Sequence, residues 1–169
     1  MAPDFDSYVD MVRARLVGGG FKAEDPARGA ALQARRRRVK LTRFGLVETV
    51  VGLSGRRGEA GPEDLRAFGR DVFASALAGK AAIPRGLGGS LVVYPVLVVD
   101  RASPELRAAV SEEPPKHWAA LEFPVVAELS AGGLLFFDRT PFWGAAYYRR
   151  TRDEARDLFA LPEERTPLS

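Results

Sequence analysis

Arg35-Arg36-Arg37-Arg38-Val39-Lys40-Leu41-Thr42-Arg43 runs without a turn residue, and the apolar stretch Leu46 to Leu53 follows it. Read as a strand, the run has a period of two, which puts Arg36, Arg38, Lys40 and Thr42 on one face and turns Val39 and Leu41 to the other. Arg43-Phe44-Gly45 then supplies a glycine-containing connection, so a hairpin with Leu46 to Leu53 as its second strand is the simplest reading. Everything else in the chain is arranged around that pair.

Upstream, Ser7 to Val17 reads as a helix capped by Asp6 or Ser7, with Tyr8, Val12 and Leu16 at helical spacing and Gly18-Gly19-Gly20 as its stop. Glu24 to Ala30 reads as loop. Downstream, Ser54 to Gly61 is a polar, glycine-rich stretch carrying Arg56 and Arg57, and it reads as a loop that leads to a helix opened by Pro62. Leu65, Phe68, Val72, Phe73 and Leu77 give that helix an apolar stripe, and Gly79 ends it. Leu91 to Val99 is apolar on both faces, which suits a covered strand, whereas Pro95 argues for an edge or a bulge. Both readings stay open.

Ser103 caps a short helix through Val110, and Pro114-Pro115 leads into a strand from Ala119 to Leu129 that Pro124 interrupts. After a turn at Ser130 to Gly133, Leu134 to Phe137 returns as a strand. Thr140-Pro141 opens the last helix, with Tyr147, Thr151, Ala155 and Leu158 on one side and Arg149, Arg152, Asp153 and Arg156 on the other. The expectation is a single α+β domain over 1–161 with a flexible tail at 162–169. Its sheet is expected to be mostly antiparallel, with five or six strands, two hairpins and three to four helices.

Composition bounds the function. A chain of 169 residues, 46% hydrophobic and 28% charged, fills one core. Its net charge of +3 is too small for a polycation, so anion binding must come from where the charges sit. Only four basic residues are lysine: Lys22, Lys40, Lys80 and Lys116. The arginine bias fits bidentate recognition of phosphate or carboxylate, or a GC-rich genome. No cysteine is present, which excludes disulfides, thiolate nucleophiles and Cys-ligated metal. The acidic start lacks a signal-peptide pattern, and no uncharged apolar run is long enough for a membrane helix. A soluble cytoplasmic protein with no membrane association, no cofactor and no metal is expected.

The basic row Arg36, Arg38 and Lys40, with Arg43, Arg56 and Arg57, is the first candidate surface. It either tracks an anionic partner, as nucleic acid or an acidic protein face, or guards an exposed strand against edge pairing. No aromatics interleave with the run, which weakens the nucleic-acid case. A second candidate is the strand-to-helix junction Arg139, Thr140, Trp143, Tyr147 and Tyr148, where free helix N–H groups favour a small anion. His117, Glu122 and Asp138 are the candidate acid–base residues for a small hydrolase or phosphoryl-handling enzyme, provided they converge. The glycine-rich Arg85 to Ser90 has the wrong context for a phosphate loop, and no nucleophile elbow, zinc pair or EF-hand is visible. The leading reading is a non-catalytic module that binds an anionic partner. The others are that enzyme, or a structural subunit of a homo- or hetero-oligomer.

Overall fold

The computed structural model describes residues 3–40, 45–79, 88–139 and 145–162, without the side chains of Lys40, Lys116 and Ala145. Among the described residues four helices and one eight-stranded sheet form a single α+β domain. The chain runs α1 (Phe5–Gly18), β1 (Lys22–Ala23), β2 (Leu32–Lys40), β3 (Gly45–Ala60), α2 (Pro62–Ala78), β4 (Gly89–Ala102) and α3 (Pro104–Val110). It continues through β5 (Lys116–His117), β6 (Ala120–Glu122), β7 (Val125–Glu128), β8 (Gly133–Phe136) and α4 (Ala145–Phe159).

The arginine strand is extended, and it pairs antiparallel with β3 in a register that sets Arg36 opposite Thr49 and Arg38 opposite Val47. The strands lie in the order β1-β2-β3-β4-β6-β5, with β7 on the same side of β4 as β6, and β8 beyond β7. Four pairings are antiparallel, but the central ones, β3 with β4 and β4 with β6 and β7, are parallel. Parallel neighbours need a crossover, and α2 provides it between β3 and β4.

Strand β4 shows why its sequence is apolar on both faces. Val92, Tyr94, Val96 and Val98 pack with Tyr8, Val12 and Leu16 of α1 and with Tyr148, Ala155 and Leu158 of α4. The alternate residues Leu91 and Val93 meet Phe68, Val72 and Ala76 of α2, while Leu97 and Val99 meet Leu65, Leu106 and Val110. The sheet is therefore covered by α1 and α4 on one face and by α2 and α3 on the other. Burying each such valine or leucine is worth about 1.5–3 kcal/mol.

Pro95 lies in this central strand, and its neighbours explain how. The carbonyls of Val93 and Val99 accept from the N–H groups of Phe123 and Leu129, so by alternation position 95 faces the same side. There the ladder is broken between β6 and β7 at Phe123-Pro124. The missing donor meets a gap, not a waiting carbonyl.

Three expectations change. Ser54 to Gly61 is not a loop, because β3 runs on to Ala60 beside β4, with a register shift between Arg56 and Glu59. The first helix begins earlier, at Phe5, where Asp4 accepts from the Ser7 N–H at 2.7 Å. In α4, Tyr148 is buried and Tyr147 is 36% exposed, the reverse of the expected side, and Arg152 is buried with its Nη1 donating to the Asp138 and Arg139 carbonyls. Residues 163–169 of the expected tail lie outside the described residues. No described helix is long and apolar enough to cross a membrane.

Candidate functional site

The four arginines divide between the two covered faces of the sheet. Arg35, 6% exposed, sends Nη1 to Glu48 Oε2 at 2.7 Å, Nε to the Glu24 carboxylate and Nη2 to the Ala76 carbonyl at 3.3 Å. Ala76 lies in the last turn of α2, which has no basic residue of its own, so Arg35 supplies the cation that favours a helix C-terminus. Arg37, on the same face but half exposed, reaches the other Glu48 oxygen at 3.3 Å.

On the opposite face Arg36 pairs through Nη2 with the Glu154 carboxylate, donates from Nη1 to the Gly19 carbonyl at 3.3 Å and lies 4.3 Å from the centre of the Phe21 ring. Arg38 donates to the same Gly19 carbonyl at 3.4 Å and remains exposed. Both guanidinium groups therefore complement the end of α1. A uniformly solvated ridge is not what results, because Arg36 is only 9% exposed. The Lys40 side chain and Arg43 lie outside the described residues. Arg56 pairs with Asp64 at 3.3 Å, and with Arg57 it sits about nine residues along β3 from Val47, or roughly 30 Å away. The six basic residues do not form one patch.

A smaller assembly emerges where β2 and β3 meet α4. Arg36, Arg38 and Thr49 from the sheet, with Tyr147, Arg150 and Glu154 from the helix, line a cleft of about 40 Å³. Three guanidinium groups and one carboxylate leave 3 − 1 = +2 within it. Both oxygens of Glu154 are occupied, one by Arg36 and the other by the Tyr94 hydroxyl at 3.0 Å. Burial, reinforced by Glu154, holds the Tyr94 phenol well above its ordinary pKa, so it stays a donor. Burial first, then Tyr148 and Glu154, push Tyr147 up to about 12, even though 36% of the residue is exposed.

Within this site the Arg36 Nε is buried and has no hydrogen-bond partner among the described residues. An unmet buried donor costs about 1–3 kcal/mol.

The other candidates separate. His117 Nε2 and Glu122 Oε2 are 3.3 Å apart, and the imidazole stacks on Phe73 of α2 with ring centres 4.2 Å apart. Gly69 of α2 leaves room for Glu122, since a Cβ there would lie 2.5 Å from its Oε1. Asp138 instead lines a groove of about 600 Å³ with Ser111, Arg156 and Asp157, and neither His117 nor Glu122 lines it. Arg139 donates to the Ser111 carbonyl at 3.2 Å. His117 thus meets one of its two expected carboxylates and not the second. Thr140 and Trp143 lie outside the described residues. Among the described residues no group of three or more His, Asp or Glu is placed to hold a metal ion.

No family model, curated protein or solved structure matches the chain. The site rests on its own geometry. Sequence reasoning missed Thr49, Tyr94, Arg150 and Glu154. Thr49 follows from the hairpin register once Lys40 is set against Gly45, but nothing local in the sequence links residue 154 to residue 36, which are 118 positions apart.

Proposed function

We propose that this protein is a non-catalytic interaction module that holds an anionic partner where β2 and α4 meet. One observation carries the reading: Arg38 and Arg150, exposed residues from different elements, line the same cleft, and neither is paired with a carboxylate among the described residues. Glu154 does not cancel them, because it is engaged by Arg36 and Tyr94. Surface cations used only to cap α1 would need no second basic element facing them. Arg150 of α4 supplies one.

A partner held by such exposed charges is gripped mainly by release of counterions, so its affinity falls as salt rises. Retention on a heparin matrix and binding of a fluorescent single-stranded oligonucleotide provide two polyanionic probes. The double substitution Arg38→Glu/Arg150→Glu should weaken both by at least about tenfold and reduce the salt slope by about 1.4, two contacts at about 0.7 each. Arg57→Glu, far along β3, should change neither. Equal binding by wild type and the double variant, with unchanged melting temperatures, would remove the proposal.

A further inference from the structure

We infer that the cleft is a subsite for one tetrahedral oxyanion, a phosphate or a phosphoryl group, with Arg36 as its buried floor and Arg38 and Arg150 as its exposed walls. The inference rests on the anionic-partner reading and specifies the chemistry it recognises. Three features converge on it. The first is Arg36 itself, a cationic side chain that lines the cleft and is more than nine-tenths buried. It is an N–H donor, which calls for an acceptor and excludes a cation.

The second is size and charge. A cleft of about 40 Å³ holds roughly three water-sized volumes at about 10–15 Å³ each, enough for one compact group and too little for a nucleobase or an aromatic side chain. Its +2 balance matches a phosphate dianion. The third is the spread of donors. Arg36 and Thr49 face each other across the β2–β3 ladder, while Tyr147 and Arg150 approach from α4, so donors come from separate directions, as a tetrahedral group requires. Tyr147 stays protonated throughout the neutral range and brings a hydroxyl donor. Glu154 acts as a positioning residue: it fixes the Arg36 guanidinium and does not touch the ligand.

The test uses the full chain and two kinds of probe. With inorganic phosphate, compared with chloride and acetate at matched ionic strength, the melting temperature should rise as specific binding to the folded state requires. Titration calorimetry with phosphate should show one site, and Arg150→Gln and Thr49→Val should each weaken it by about tenfold. Both variants keep the Arg36–Glu154 pair, and circular dichroism checks that they remain folded. A 5′-phosphorylated oligonucleotide compared with its dephosphorylated twin then separates the sources. Tighter binding of the first assigns a terminal phosphoryl group, and equal binding with phosphate still bound assigns the free ion. No phosphate-specific stabilisation of the wild type, or stabilisation that survives both substitutions, overturns the subsite. If heparin retention depends on Arg38 and Arg150 but phosphate has no effect, the subsite fails and the module stands. Phosphate binding without polyanion retention gives the converse.

Discussion

Glu48→Gln isolates the charge that holds the arginine strand under α2. Glu48 is 4% exposed and takes Arg35 on one oxygen at 2.7 Å and Arg37 on the other at 3.3 Å. Glutamine preserves volume, so no cavity forms. Removing one member of a buried ion pair costs about 3–5 kcal/mol, because the other charge is left in a poorly solvated site. Here the lower end applies, since the Glu24 carboxylate stays on the Arg35 Nε and the glutamine oxygen can still accept from Nη1. A loss of about 3 kcal/mol is a large share of the roughly 5–15 kcal/mol that keeps a domain folded. For a chain of this length it lowers the melting temperature by about 6–12 °C. Arg37→Ala, which removes the half-exposed partner of the same carboxylate, should cost only about 0–1 kcal/mol. Urea unfolding followed by circular dichroism at low and high salt measures both. The Glu48→Gln deficit should be nearly independent of salt, as an exposed pair's would not be. A deficit below about 1 kcal/mol, or one that vanishes in high salt, would refute the view that the strand is held by a buried carboxylate.

Gly52 of β3 lies under α2 so closely that an added Cβ would come 2.6 and 2.7 Å from the two Val72 methyl groups, so Gly52→Ala should cost about 1–3 kcal/mol in thermal unfolding. Val72→Ala in the same background should recover part of that loss, and no recovery would show that another contact is responsible. Tyr94 and Tyr147 have folded pKa values raised above the ordinary 10, Tyr147 to about 12, so the folded state keeps protons that the unfolded chain releases. Their contribution is complete below pH 10; that of Tyr147 is lost as pH climbs from 10 through about 12, and that of Tyr94 is lost only as pH climbs through its own raised value. Phenolate absorbance should therefore show these two tyrosines ionising after an exposed tyrosine would. A single ordinary transition in the still-folded protein would contradict the raised pKa of both.

Much of the architecture was legible because it depends on local spacing. The stripe Leu65, Phe68, Val72 predicts α2, Ser103 before Pro104 predicts α3, and Pro124 marks the break between β6 and β7. The stretch from Ser54 to Gly61 misled because glycine and arginine signal a turn, while the parallel partner β4 imposes an extended backbone on it. The expected side of α4 does meet the sheet through Thr151, Ala155 and Leu158, but the first position of its buried stripe is Tyr148, three residues before Thr151, and not Tyr147, four before it, because three- and four-residue spacings are both helical. In the candidate site, Arg36 and Arg38 were visible from their spacing. Their acidic and basic counterparts on α4 were not.

The sequence by itself determined that residues 35 to 40 form a charged strand in an α+β domain, and that neighbouring arginines point to opposite sides. Alternation is a property of the extended backbone and needs no partner. Only the tertiary structure decided what each side meets: Glu48 and the end of α2 for Arg35, Glu154 and the end of α1 for Arg36, and the open cleft facing Arg150 for Arg38. Those meetings depend on how helices distant in the chain dock on the two faces of one sheet, and burial and charge at each arginine are set by that docking.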